Sequence, residues 1–597
     1  MPEAAVRPYF RSALTWLQYD RLGTVYAGAP CASRYRYGVN SVAVTPARAP
    51  GTRLVKAGAI AFLAVVVSWV IYAVVSGKDG ALDPVDLTVY RDGGLIVRHV
   101  HPYFQPNAHA PLYDWGGYSS LALKFTYPPF AAIAFALISF IGWTPLWVLS
   151  IIVNICSLLA ALWFTFGGLG YRDRRVRLGA TLVAAAVTFW LQPVVRTIYL
   201  GQINLLLMAA IMWDMCQPRE GRWWKGALTG VAAGIKLVPL IFVPYLLVTR
   251  KFREAAMTVA GFLVTVAIGF LILPSDSSKW WLHGMVFSDG NRTGFTGWAG
   301  NQSLRALITR LSGSIAAGTM PWLAAAAVAL VLGILAAYLF ERAGYHVPAL
   351  LTTALTGLLI SPISWDHHWV WVAPAVAVAG HYAIACWRTA RTNADRWRAR
   401  WLGALAIFMI FVYGAWPDAI WERARNLGRF SLGFLWAQKN TNPILFMEHG
   451  DQPQWVEYHW HGFQLIWGNA YILGGMALLL VLLAIAFRLR AATPAPLAPE
   501  TSSLPASVRA SLSHPFWRGF SALRYSPRRM RALWTRPILT RSRLGRHRAE
   551  RPARFVVHGV AGSWVARPVS HAAYDLDVSR LKSTPAGSGR AKITPAA

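Results

Sequence analysis

The sequence predicts an all-α polytopic membrane protein, a type of helical bundle with about ten to twelve transmembrane segments. Three observations predict it. Of 597 residues, 55% are hydrophobic and only 14% are charged, where a soluble domain carries about 25% charged residues. The apolar residues gather in runs long enough to cross a hydrocarbon layer about 30 Å thick. Polar punctuation separates the runs, and in lipid each run must pair its backbone internally as a helix.

In chain order, residues 1–56 form a basic N-terminal tail with eight Lys/Arg against two acidic residues. No cleavable signal peptide is expected, because the first long apolar run starts only near Ala57. Runs of spanning length lie at about 57–75, 144–167, 178–199, 225–248, 255–273, 321–340, 347–363, 368–387, 401–416 and 464–488. Two shorter runs, 127–142 and 202–216, fall below the roughly 17–25 residues of a simple span. The multi-spanning domain is therefore 57–490, followed by a basic, Pro/Ser/Arg-rich C-terminal tail at 491–597 that is expected to be disordered.

The net charge of +33 invites a nucleic-acid partner, and its placement argues against one. The N-terminal tail carries +6 and residues 488–597 carry +16, twenty Lys/Arg against four acids. Basic segments flanking membrane spans are expected on the cytoplasmic side. Phe516, Trp517, Arg518, Tyr525, Arg528 and Arg529 suit contact with anionic membrane lipid. Cys31, Cys156, Cys216 and Cys386 show no spacing of a metal knuckle or disulfide framework.

Two basic tails imply an even number of crossings. The polar stretches 76–126, 274–320 and 417–463 then fall outside, and the Arg-rich stretch 388–400 falls inside. If every segment crossed, Arg172, Arg174, Arg175 and Arg177 would be outside, against the rule. The conflict disappears if 127–142 does not cross fully and 225–248, interrupted by Lys236 and Pro239, enters and returns. Gly201-Gln202-Ile203-Asn204 then moves to the outer side. Asp86 and the triplet Asp366-His367-His368 are thereby expected to meet on the outer face.

Asp86, followed by Tyr90, Arg91 and Arg98, suits a general base facing an anionic substrate. It equally suits a helix N-cap, and Asp83 and Asp92 are nearby competitors. Adjacent His367 and His368 project about 100° apart on a helix, unlike the i, i+4 pair of a helical zinc site. A catalytic or hydrogen-bonding role fits them better than a metal, with Trp365, Trp369 and Trp371 at headgroup depth. Asp366 would orient one imidazole or cap the following helix. The outer cations Arg91, Arg98, Lys124, Arg196, Arg292 and Arg305 run against the charge bias and suit an anionic ligand such as a lipid phosphate. Lys236 joins them only if its segment is broken; otherwise it snorkels. Asn204, Asn301, Gln302 and Ser303 carry groups that recognise sugar hydroxyls or cap helices. No nucleotide-binding or DxD-like motif stands out, which favours a donor carried in the membrane.

Asp86-Leu87-Thr88-Val89-Tyr90, Tyr127-Pro128-Pro129, Gly201-Gln202-Ile203-Asn204, Lys236-Leu237-Val238-Pro239, Asn301-Gln302-Ser303 and Ser361-Pro362-Ile363-Ser364-Trp365-Asp366-His367-His368 occur in this order. In that order they resemble glycosyltransferase family 87, type-C enzymes that use polyprenyl-phosphate mannose, over about residues 55–490. The resemblance implies a hexosyltransferase of the cell membrane. It would move mannose, with inversion, from polyprenyl-phosphate mannose to a phosphatidylinositol mannoside, lipomannan or lipoarabinomannan acceptor. The linkage implied is α-1,2, and the reaction extracytoplasmic. It implies Asp86 as base, His367 or His368 at the leaving phosphate or acceptor, and neither cofactor nor metal. Two other readings remain: a type-C enzyme for another polyprenyl-phosphate sugar such as arabinose or glucose, and a transporter of lipid-linked sugars. Internal repeats would favour the transporter, and none is evident.

Overall fold

The computed structural model describes residues 50–75, 84–99, 112–113, 123–217, 222–287, 296–415, 457 and 460–492. Most of the N-terminal tail, the C-terminal tail from residue 493, Asp83, Arg292, Cys31 and the stretch 416–456 lie outside the described residues.

Helix α1 (Pro50–Val75) is 26 residues of almost purely apolar sequence, about 39 Å long at 1.5 Å per residue. Helix α5 (Arg174–Thr188), capped by the Asp173 carboxylate on the Arg175 and Val176 amides, runs beside α1 in the same direction. Gly51 faces Arg175 and Val176, and Gly58 faces Leu182 and Val183. A Cβ on Gly58 would stand 3.0 Å from the Gly179 carbonyl, so small residues set this close approach. Two parallel neighbours require a return between them, and the 26-residue α4 (Trp143–Gly168) supplies it. Helices α2 (Val85–Val97) and α3 (Pro129–Ala136) therefore stay at the end where α1 finishes; at eight residues, α3 is too short to cross. We name that the site end, and the end holding Pro50 the basic end.

The single apolar run expected at 178–199 is two helices. Chain α5 stops at Thr188, Leu191 is extended and bridges Gly414, and α6 (Gln192–Leu200) starts with Pro193 in its first turn. In a continuous helix the Pro193 ring would lose a hydrogen bond and clash with the carbonyl four residues earlier. Helix α7 (Asn204–Met215) follows a bend of 116° and descends to the basic end, where Cys216 meets Gly168.

Helix α8 (Ala227–Ile235) enters from the basic end alongside α10 (Phe252–Ile272); Gly226, Gly230 and Gly234 lie against Glu254, Thr258 and Thr265 in turn. It breaks at Lys236, whose backbone is extended, and the chain returns through a 3-10 turn (Val238–Ile241) and α9 (Phe242–Val248). Beyond α10, α11 (Leu304–Ser312) begins at the Ser303 cap. Helix α12 (Ile315–Arg342) runs to the basic end and α13 (His346–Ile360) comes back against it, Gly333 facing Thr356. Residues 361–365 lead into a 3-10 turn (Asp366–Trp371) and α14 (Val372–Thr389), where His381 reaches the Tyr171 hydroxyl at 3.0 Å. Helix α15 (Asn393–Tyr413), opened by a Thr392–Asp395 capping box, and α16 (Ala470–Ala492) complete the bundle.

The described residues hold six helices long and apolar enough to cross a membrane, or seven if the bent α6–α7 pair is one span. The protein is thus a multi-pass, all-helical membrane protein; the remaining expected segments form shorter or more polar helices. Apolar side chains such as Leu63, Leu263, Leu271 and Val331 point outward from the long helices, as a lipid-facing belt requires. Trp369 is buried against Tyr413 and Tyr471, packing the 3-10 turn onto α15 and α16.

Candidate active site

Four segments converge at the site end: the first turn of α2, the α6–α7 bend, the break at Lys236 and the turn starting at Asp366. Asp86 does not cap α2. The cap position belongs to Pro84, and no side chain accepts from the free amides of the helix start as a cap would. Burial pushes the Asp86 carboxyl above the usual carboxylate range, against the opposing pull of His367, a Gln202 hydrogen bond, Lys236 and Arg196. Its competitor Asp92 sits six residues on, about 240° around the helix at 100° per residue. Burial lifts Asp92 to about 6, against the opposing pull of Arg91.

One turn after Asp86, the Tyr90 hydroxyl donates to Gln202 Oε1 at 2.6 Å. That leaves the Tyr127 hydroxyl to donate to Tyr90 across 3.0 Å, and fixes the Gln202 NH2 toward Tyr127 and Asp86. Burial pushes both phenols up, so they remain donors. Gly201 ends α6 in the left-handed region with φ 67°. A Cβ there would stand 2.7 Å from Leu87 Cβ, so the missing side chain lets the bend close on the helix that carries Asp86.

The triplet divides its work. Asp366 caps no helix; it orients an imidazole. Its Oδ1 lies 3.3 Å from His367 Nδ1, while Oδ2 faces Arg196 Nε at 3.6 Å and Gln192 Nε2 at 3.4 Å. An acceptor at Nδ1 selects the Nδ1–H form of His367, and its buried Nε2 has no hydrogen-bond partner. The His367 carbonyl accepts from Thr197 Oγ1 at 3.2 Å and Asn204 Nδ2 at 3.0 Å. His368 turns the other way. Lys236 Nζ lies 2.9 Å from His368 Nε2 and 2.8 Å from Asn204 Oδ1. An ammonium only donates, so with Lys236 charged the His368 Nε2 is the acceptor of this bond. The broken α8–α9 segment thus brings Lys236 to the site.

Other expected contacts are placed elsewhere. Asn301 and Gln302 are fully buried and bond backbone: Asn301 Oδ1 accepts from the Ser364 amide at 2.9 Å, and Gln302 Nε2 donates to Ala299 and Gly468 carbonyls at 2.7 and 2.8 Å. These amides hold a loop and have little capacity left for a sugar. Trp365 pairs its backbone with Asn301, and its ring lies 5.4 Å from that of Trp298. Arg98, at the far end of α2, donates to Ser139 Oγ at 3.1 Å and covers the Phe140 ring, away from Asp86. Arg91 lies between, beside Asp92. Gln202 and Tyr127 were not singled out from sequence, although both sit inside the motifs Gly201–Asn204 and Tyr127–Pro129. Nothing in the sequence marked Gln192.

A cleft opens between α7, α9, α13 and the 3-10 turn. Asn204, Lys236 and His368 form its polar end, and Met208, Phe242 and Trp371 are among its apolar walls. Among the described residues no three His, Cys, Asp or Glu side chains gather where a metal ion would be held.

A buried carboxylate, an oriented imidazole and a lysine brought together at one end of a multi-spanning helical bundle define a membrane-embedded enzyme. Residues 125–362 match glycosyltransferase family 87. A Mycobacterium tuberculosis protein named polyprenol-phosphate-mannose-dependent alpha-(1-2)-phosphatidylinositol mannoside mannosyltransferase is 31% identical over 309 residues, covering 50% of this chain and 70% of that protein. Its namesake from Mycolicibacterium smegmatis is 33% identical over 334 residues, 52% of this chain and 73% of the relative. A Mycobacterium tuberculosis protein named for the phosphatidylinositol pentamannoside acceptor is 37% identical over 253 residues, 42% of this chain and 57% of the relative. No solved structure matches. The chain belongs to glycosyltransferase family 87, and it is a hexosyltransferase.

Proposed function

We propose that this protein transfers mannose from polyprenyl-phosphate mannose to a phosphatidylinositol mannoside, forming an α-1,2 linkage with inversion. The observation that carries the reading is that Asp86, from the first turn of α2, has Gln202, His367 and Lys236, from three other segments, around its carboxylate, with Lys236 also lining the adjoining cleft. Acceptor and linkage come from the names of the relatives. The acceptor hydroxyl attacks the anomeric carbon as the bond to the carrier phosphate breaks. Asp86 takes the hydroxyl proton, and a carboxyl raised by burial is a stronger base for that step. Lys236 meets the charge that grows on the departing phosphate, with Asn204 and His368 aligning its ammonium. His367, oriented by Asp366, presents Nε2 toward the sugar. Asp366 is committed to Arg196, Gln192 and His367, so among the described residues around the site Asp86 is the carboxylate left for proton transfer, which supports one displacement over two. The cleft's combination of a cationic end and apolar walls suits a phosphate attached to an isoprenoid chain.

Arg174, Arg175, Arg250, Lys251, Arg253, Arg342, Arg388 and Arg488 all mark the basic end. By the positive-inside rule that end is cytoplasmic and the site end extracytoplasmic. The test is purified protein in lipid nanodiscs with polyprenyl-phosphate [14C]mannose and phosphatidylinositol mannoside. The native chain yields an α-1,2-mannosylated lipid and Asp86→Asn yields none. Transfer at the native rate by Asp86→Asn removes it as the base.

A further inference from the structure

Arg310, in α11, is among the most fully buried large side chains of the protein, at 2% exposure. It lies outside the cleft. Its Nη1, with two hydrogens shared among three acceptors, lies 3.1, 3.0 and 3.1 Å from the carbonyls of Gly297, Trp298 and Asn301, and its Nε donates to Asn469 Oδ1 at 2.9 Å. The buried Glu457 supplies a countercharge and the Trp460 ring lies 5.6 Å away. One planar fork therefore gathers the whole 297–301 turn and ties it to the start of α16.

That turn holds the triplet. The Gly300 carbonyl accepts from the Asp366 amide at 2.8 Å, Asn301 Oδ1 accepts from the Ser364 amide, and the Gln302 amide donates to the Ser364 carbonyl at 2.8 Å. Both residues that flank Trp365 are thus fastened to a loop whose own shape depends on Arg310. We propose that Arg310 is a positioning residue for the Asp366–His367 pair, acting through the 297–301 turn. The proposal rests on the assignment of that pair to the sugar-transfer site. Asn301 and Gln302 fall into place as links in this clamp. A lysine at 310 offers a point charge on a flexible stem and cannot span three carbonyls and Asn469 together.

The test uses Arg310→Lys and Asn469→Ser in the full chain, in lipid nanodiscs. For Arg310→Lys, kcat for mannose transfer falls roughly tenfold to a hundredfold, the scale of an ångström-level misplacement, while the donor KM changes less than about twofold. Amide exchange across 361–371 accelerates, and exchange across 242–248 stays as in the native protein. A native kcat, a loss confined to KM, or unchanged exchange at 361–371 overturns the proposal. If Arg310→Lys does not fold, Asn469→Ser carries the same readouts, because it keeps the guanidinium and withdraws the longer amide arm whose Oδ1 accepts from it. A native protein inactive with polyprenyl-phosphate mannose refutes the functional reading instead; the exchange measurement needs no substrate and still decides the clamp.

Discussion

Gly201→Ala tests whether the α6–α7 bend sets the position of Asp86. The substitution adds one carbon in a left-handed conformation, φ 67° and ψ 30°, which costs about 1–2 kcal/mol for a residue with a Cβ. The new carbon would stand 2.7 Å from Leu87 Cβ and 3.4 Å from Pro84 Cβ. Carbon pairs rest at about 3.5–4.0 Å, so α2 must retreat by about 1 Å at the residue next to Asp86. A shift of that size costs up to about a hundredfold in rate when it moves a catalytic group. The expected result is a kcat reduced tenfold to a hundredfold, in a protein that still purifies as a folded species. Gly170→Ala is the control: its φ is 94°, and a Cβ there meets nothing within 4 Å. It carries the backbone strain at the basic end without a collision, and it retains native kcat. Equal kcat values for the two variants refute the reasoning, because strain alone would then account for the effect.

Four further outcomes follow from the same geometry. Because burial raises the Asp86 carboxyl above 3.8, the rate falls on acidification at a higher pH than an exposed carboxylate would give, and a rate profile with its acid limb near 3.8 contradicts this. The same shift favours the protonated form in the fold, a stabilisation present at low pH and lost as pH rises through the folded value. Asp86→Asn therefore melts higher than native at pH 7 and equally at pH 3, measured by thermal unfolding in detergent; a lower midpoint at pH 7 counts against a buried charge. Lys236→Met removes an ammonium bonded to Asn204 and His368. Charge-assisted hydrogen bonds contribute about 1.5–3 kcal/mol, so kcat drops roughly tenfold to a hundredfold, and a native kcat would separate Lys236 from the leaving phosphate. Excess EDTA leaves the rate unchanged, because among the described residues no three His, Cys, Asp or Glu side chains gather where they could hold a metal ion; loss of activity reversed by a divalent ion would restore the metal reading.

Chain direction was the part of the fold most legible in sequence. Hydrocarbon length and the bias of Arg and Lys are one-dimensional constraints, so they already implied that 127–142 stays at one end and that 225–248 turns back at Lys236. The break at Leu191 was less legible, because the apolar run 178–199 continues through it and only Pro193 marks a new helix start. For single residues the limit was sharper. An aspartate in a first turn reads equally as cap or base, and only the absence of any cap bond at Asp86 separates the two. The motif Asn301-Gln302-Ser303 pointed to a place but not to a role. An amide that grips a sugar and one that grips a backbone carbonyl have the same composition and the same neighbours in sequence. The difference lies in partners more than sixty residues away, Ser364 and Gly468. Arg310 was invisible for the same reason. Inside TRLSG it reads as an ordinary cation near a helix end, yet its charge is met by carbonyls of the 297–301 turn and by Asn469, which converge only in the folded chain. Motif residues in this protein therefore divide by whether their polar atoms are already satisfied: Asn301 and Gln302 spend theirs on the backbone of the wall, whereas His367 keeps a buried Nε2 without a hydrogen-bond partner, the atom that the proposed reaction turns toward the sugar.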